Sequence, residues 1–261
     1  LSQVGEAMSQ PGKYWRGNVS ASLNLIEATL AAGVRNFVFS STCATYGDPV
    51  RLPMDETHPQ APLNPYGRSK LMTEWMLQDT AAAHPLRYTI LRYFNVAGAD
   101  PRGRTGQSTP GATHLIKVAC ECVTEQREGM SVFGTDYDTR DGTCIRDYIH
   151  VEDLAKAHVM ALDYMADGGH SKVMNCGYGR GFTVREVIDV VKAQSGVDFP
   201  VTETGRRAGE QQRLPPRAAR DGDDRAERGA GRNAEQAGIG ERIPEIALHR
   251  SARESEAAAD Q

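Results

Sequence analysis

The sequence predicts an α/β fold, a doubly wound parallel sheet joined to a smaller mixed α/β lobe, and three observations carry that prediction. From Asn18, the apolar residues Val19, Leu23, Ile26 and Leu30 recur at helical spacing, and Gly33 stands where a C-cap is wanted. Phe37-Val38-Phe39 follows as a short, wholly apolar run, which suits a strand covered on both faces. A second helix, from Tyr66 to about Ala83 with Leu71, Trp75 and Met76 for packing, then leads to a second strand over Tyr88 to Tyr93. Sheets of this kind gather their ligands at the carboxyl ends of the strands. Ser40-Ser41-Thr42 lies at such an end.

The remaining elements follow in order. A helix is expected near His114 to Glu125, a strand at Met130 to Phe133, a helix from Val151 to Ala166 and a strand near Val173 to Cys176. Thr183-Val184-Arg185-Glu186 has the spacing of a capping box and opens a helix carrying Val187, Ile188 and Val191. This divides the chain into a sheet domain over 1–100 and a second lobe over 101–204, the latter containing segments that return to the sheet. From 205 to 261 the character changes. All aromatics, cysteines and lysines lie earlier, and the last 57 residues hold eleven arginines and twelve alanines. A segment so poor in apolar bulk is expected to be disordered. Its arginine-without-lysine composition also fits GC-rich DNA read out of frame, which resequencing the coding region would check.

Composition narrows the function. Thirty Lys and Arg against 34 Asp and Glu leave a formal charge of −4, too small for nucleic-acid wrapping or adhesion to an anionic membrane. No apolar run approaches the roughly 20 residues of a spanning helix. The five cysteines (Cys43, Cys120, Cys122, Cys144, Cys176) lack C-x-x-C spacing, so neither a disulfide scaffold nor a metal site is favoured, and a reducing cytoplasmic setting is expected. The N-terminus shows neither an initiating Met nor a signal pattern and reads as cut.

The chemistry centres on Tyr66-Gly67-Arg68-Ser69-Lys70, preceded by Asn64-Pro65. Tyr66 and Lys70, four apart, share a helix face. A phenol of pKa about 10 needs a shift of roughly 3 units, about 4 kcal/mol, to act as a base near neutrality. A neighbouring ammonium supplies part of it, and the Thr42 hydroxyl could hold a substrate oxygen. Taken alone, Tyr-x-x-x-Lys reads better as a solvated face. Its order after Ser40-Ser41-Thr42-Cys43-Ala44-Thr45-Tyr46-Gly47 reverses that balance.

These residues, with Leu91-Arg92-Tyr93-Phe94-Asn95, Thr113-His114-Leu115, Val132-Phe133-Gly134 and the run from Gly134 to Val151, resemble the extended short-chain dehydrogenase/reductases and, within them, the UDP-glucose 4-epimerases. The resemblance covers Leu1 to about Arg207. It implies a Rossmann-like sheet whose first strands are missing, tightly held NAD, and reversible exchange of UDP-galactose and UDP-glucose by transient oxidation at sugar carbon 4. In that scheme Tyr66 is the base, Lys70 tunes it and binds the nicotinamide ribose, and Thr42 orients the 4-hydroxyl. Ser40, Tyr93 and Phe94 join Tyr66 and Lys70 around the cofactor. Cys43, Ala44, Asn95, His114, Leu115, Val132, Phe133, Arg146 and Arg207 join Thr42 and Tyr66 around the substrate. A homodimer is implied, paired through the helices at Asn18 to Ala32 and Tyr66 to Ala83.

Bland readings stand beside these. Arg146 could instead pair with Asp147, Phe94 and Phe133 could be core, Asp153 could cap its helix, and His150 reads as structural. The sequence also departs from the family. No Gly-x-x-Gly-x-x-Gly turn occurs, Gly17 stands where an asparagine often contacts the cofactor, and Glu210 replaces an aspartate of an arginine-rich motif. Little or no turnover by these 261 residues alone is therefore expected. A nucleotide-sugar 4,6-dehydratase would need an acidic pair where Cys43 and Ala44 stand. The Gly134 run argues against a hexuronate epimerase. The rival from another class is a noncatalytic remnant that binds UDP.

Overall fold

The apolar runs that predict strands form them. The structure, a computed structural model, describes residues 1–207 and the backbone of 213–214. The chain begins with α1 (Val4–Ser9), α2 (Pro11–Tyr14) and a π-helical turn over Trp15–Ser20 that runs into α3 (Ala21–Ala31). The helix expected from Asn18 thus starts later, and Asn18 is buried within the π turn. Gly33 takes φ 69° just past the end of α3, the left-handed conformation that closes a helix. Then come β1 (Asn36–Thr42), α4 (Pro65–Ala83), β2 (Arg87–Tyr93), β3 (Asn95–Ala97), α5 (Leu115–Val123) and β4 (Met130–Phe133). The described elements end with β5 (Ile145–His150), α6 (Val151–Ala166), β6 (Lys172–Cys176), β7 (Gly181–Thr183), α7 (Val184–Ser195), β8 (Val201–Thr204) and β9 (Arg213–Leu214).

β1, β2 and β6 make a parallel sheet in that order, with Ser40 opposite Leu91 and Thr42 opposite Tyr93. Its two faces are buried differently. Ile26 of α3 and Leu77 of α4 pack on Phe39 and Ile90, whereas Leu154 of α6 packs on Leu91 and Cys176. Odd and even positions of one strand therefore meet helices on opposite sides, which is the doubly wound arrangement. A second sheet runs β3-β5-β7, and β4 pairs with β8 beside α5 and α7. The Thr183 capping box forms as its spacing predicts, with the Thr183 hydroxyl accepting the Glu186 amide and the Glu186 carboxylate accepting the Thr183 amide.

Three local expectations need correction. Trp75 is 53% exposed and Leu23 41% exposed, so neither packs inward as its spacing suggested. The N-cap of α6 is His150, whose Nδ1 accepts the Glu152 amide at 3.2 Å, while Asp153 accepts the Tyr178 hydroxyl. His150 is structural, as expected. The strands β3, β5, β7 and β8, three to six residues long, were not legible as separate elements. The expectation for 205–261 lies outside the described residues beyond position 207, apart from the backbone of β9.

Candidate active site

Asn64 builds the entrance to α4. Its side chain accepts the Gly67 amide at 2.8 Å, and Pro65 occupies the first helical position, where a missing N–H costs nothing. Gly67 then lets the helix approach the 3-10 turn at Cys43–Thr45: a Cβ there would lie 2.4 Å from the Ala44 carbonyl oxygen. That closeness sets Tyr66 against Thr42. The Thr42 hydroxyl oxygen accepts the Ala44 amide at 3.2 Å, leaving its own hydrogen for the Tyr66 phenol oxygen. The edge of the Tyr14 ring stands against Tyr66, with centroids 6.5 Å apart.

Electrostatics in this corner are dominated by burial. Burial pushes the Tyr66 phenol well above its ordinary value, and the Thr42 hydrogen bond opposes it. Lys70, one turn on, donates to the Ser40 carbonyl at 2.9 Å and lies over the Phe39 ring. Burial draws its ammonium below the usual lysine range, and the Glu74 carboxylate works against that. Lys70 is expected from sequence to lower Tyr66; in this structure the hydrogen bond that lowers it comes from Thr42, and burial exceeds it. Ser40 also bonds Tyr93, and its hydroxyl meets His158 Nε2 at 2.9 Å. Cys43 and Phe94 share one buried cluster with Tyr46 and Met54, and burial lifts the Cys43 thiol to about 12. Arg146 on β5 is close enough to Cys43 to pull that thiol the other way.

With this geometry in hand, the comparisons with known proteins decide the family. The model of the NAD dependent epimerase/dehydratase family matches residues 1–177. The chain belongs to that family. It is 58% identical over 211 residues to UDP-glucose 4-epimerase of Azospirillum brasilense, covering 81% of this chain and 61% of the relative. With the same enzyme of Rhizobium meliloti it shares 51% over 214 residues, covering 82% of this chain and 65% of the relative. The chain thus spans just under two thirds of the length of these curated relatives. Among solved structures it resembles UDP-glucose 4-epimerase from Brucella ovis in complex with NAD, with a TM-score of 0.84, 40% identity, and coverage of 97% of this chain and 75% of that one. The Bifidobacterium longum enzyme in complex with NAD+ and UDP gives a TM-score of 0.84 at 34% identity, covering 95% and 72%.

Within this family member the residues expected from sequence fall into two groups. Ser40, Thr42, Cys43, Ala44, Tyr66, Lys70, Tyr93 and Phe94 converge at the carboxyl ends of β1 and β2, and Asn95 follows them onto β3, opposite Tyr148 of β5. The others lie on α5, β4 and β5 and just beyond β8. His114 is the N-cap of α5 and meets Gln107 at 2.7 Å, and Leu115 begins that helix. Phe133 is 37% exposed with the Arg207 guanidinium 4.0 Å from its ring centre, so it is not core. Val132 is core: its side chain is buried with Ile188 and Val191, and its carbonyl accepts the Thr204 hydroxyl. Asp147 turns its carboxylate to the amides of Tyr178 and Arg180, at 3.0 and 3.1 Å, and burial lifts it to about 6.

Sequence reasoning missed two features. Asn18, next to the departing Gly17, is buried and donates to the Ser69 hydroxyl at 3.0 Å, tying the π turn to the helix of Tyr66. Glu74 and Arg92, both buried, form an ion pair beneath Lys70. The signal for Glu74 was available, since positions 66, 70 and 74 share one helix face and that face packs on the sheet.

Proposed function

We propose that the protein interconverts UDP-galactose and UDP-glucose at sugar carbon 4 through a 4-keto intermediate, using NAD. The observation that carries this is Tyr66, held on the Thr42 hydroxyl with Lys70 one turn away at the end of a parallel strand. Relatives bearing that name at up to 58% identity support it. The nicotinamide side of the cofactor fits these residues. Lys70 uses one of three ammonium hydrogens on Ser40, which leaves donors for a ribose hydroxyl, and Ser40 and Tyr93 stand beside it. The pyrophosphate side is not met by a glycine-rich turn opening a helix among the described residues. The first sheet ends at β1, which is paired on one edge only among those residues.

When bound, NAD supplies the reversible oxidation at carbon 4. The protein's share is proton transfer and placement. Tyr66 takes the 4-hydroxyl proton and returns it to the same oxygen after the 4-keto sugar has turned over, and Thr42 holds that oxygen. Because burial raises the phenol, it needs positive charge to work near neutrality, and Lys70 is the cation on its own helix face. Cys43, Ala44 and Phe94 form the buried wall that keeps water away. Arg146 and Arg207 would hold the diphosphate with Asn95, His114, Leu115, Phe133 and the Val132 backbone around the nucleotide. On this reading 1–100 is the cofactor side and 101–204 mainly the substrate side.

Purified chain with UDP-galactose and added NAD should form UDP-glucose slowly at most, and Tyr66→Phe should abolish whatever is formed. Rapid turnover would show that the pyrophosphate turn is dispensable, and equal rates with Tyr66→Phe would remove the proton acceptor. A noncatalytic UDP-binding role would appear instead as calorimetric UDP binding with no turnover under any cofactor condition. Exposed Leu25 on α3 and Trp75 on α4 support a homodimer through these helices, and Trp75→Arg should sediment as a monomer. The five free cysteines support a cytoplasmic setting.

A further inference from the structure

Glu74 is fully buried on α4, two turns from Tyr66 and one from Lys70, and Arg92, 3% exposed, meets it from β2. Arg92 Nε lies 3.1 and 3.2 Å from the two carboxylate oxygens and Nη2 lies 2.5 Å from Oε2. The same carboxylate accepts the Ser41 hydroxyl from β1 and the Gln60 amide at 3.2 Å. Arg92 Nη1 continues to the Tyr46 hydroxyl at 2.9 Å, which donates to Asn175 of β6 at 2.6 Å. One helix position is thereby fastened to all three strands of the sheet.

Each tie lies next to a site group in the chain. Ser41 stands between Ser40 and Thr42, Arg92 precedes Tyr93 and Phe94, and Glu74 is on the face of Lys70 and Tyr66. Stability alone does not call for charge here, because a buried ion pair is often replaced by packed apolar residues without loss. What a forked guanidinium–carboxylate pair adds is direction: it sets how far the helix slides and how it turns, whereas apolar contacts tolerate both. We propose that Glu74 and Arg92 are positioning residues, fixing α4 against β1 and β2 so that the Tyr66 phenol meets the Thr42 hydroxyl. The positional part stands on geometry alone, and its effect on turnover rests on the epimerase reading.

The test uses the whole chain labelled at the tyrosine Cζ carbon, with the Tyr66 resonance assigned through Tyr66→Phe and its shift on losing the hydrogen bond calibrated by Thr42→Ala. Glu74→Asp keeps the charge and shortens the reach by one methylene. It should move the Tyr66 resonance at least half as far as Thr42→Ala does, and Ser41→Ala, which leaves the ion pair whole, should move it the same way by less. A folded Glu74→Asp with an unmoved Tyr66 resonance overturns the proposal, and if Glu74→Asp does not fold, an unmoved resonance in Ser41→Ala overturns it. Where turnover is measurable, Glu74→Asp should lower kcat on the order of 10²-fold with KM for UDP-galactose unchanged, as misplacement of a reacting group does. Activity that falls only in proportion to the folded fraction would contradict positioning. Absence of turnover in the parent chain would bear only on the epimerase reading, and the resonance still decides the positional claim.

Discussion

Two regions of this molecule are held together by different physics. Around α4, β1 and β2 the apolar cluster of Ile26, Phe39, Leu77 and Ile90 is joined by a line of buried polar groups, Ser41 to Glu74 to Arg92 to Tyr46. Around α5, α7, β4 and β8 it contains Ala119, Cys122, Met130, Val132, Ile188, Val191 and Phe199. The first region gives up packing freedom for defined directions, and the second needs only volume and burial. The difference places directional bonds beside Tyr66 and Thr42.

The largest effect should come from breaking the polar interior. Glu74→Ala leaves a buried guanidinium unpaired and should cost about 3 to 5 kcal/mol by denaturant melts. Glu74→Leu with Arg92→Met should recover much of that stability. If the single substitution costs no more than an exposed one, the contrast between the regions disappears. Next comes Asp147, on β5 between the two regions, whose carboxyl sits at about 6 through burial. Its folded pKa is above the unfolded value near 3.8, so the folded state holds the proton more tightly. That contribution is complete below about pH 4 and is lost as pH rises toward 6, amounting to about 3 kcal/mol. Wild type should lose that much relative to Asp147→Asn between those limits, and a constant difference across them would contradict it. The smallest effect belongs to the start of α7, beside the apolar cluster. Thr183→Ala removes one half of the capping box and should cost about 1 kcal/mol, read as a shift in melting midpoint.

Much was legible before any fold was seen. Helices α4 and α6 and strand β2 lie within a residue of their expected bounds, α4 because Asn64-Pro65 marks its start clearly. The Thr183 box was readable for the same reason, since a cap is a contact between residues three apart. Short strands such as β3 and β7 were not, as three residues carry no period.

What local sequence determined, then, is every feature whose partners are neighbours along the chain: the helices, their caps, and the shared face of Tyr66 and Lys70. Tertiary structure decided the rest. It decided that Glu74 is an anchor and Trp75, next to it, is exposed, that Val132 is core while Phe133 meets Arg207, and that burial outweighs the Thr42 hydrogen bond in setting the Tyr66 phenol. Each of these depends on residues far apart in sequence, or on how much water a position retains, and neither quantity exists until the sheet has closed on its helices.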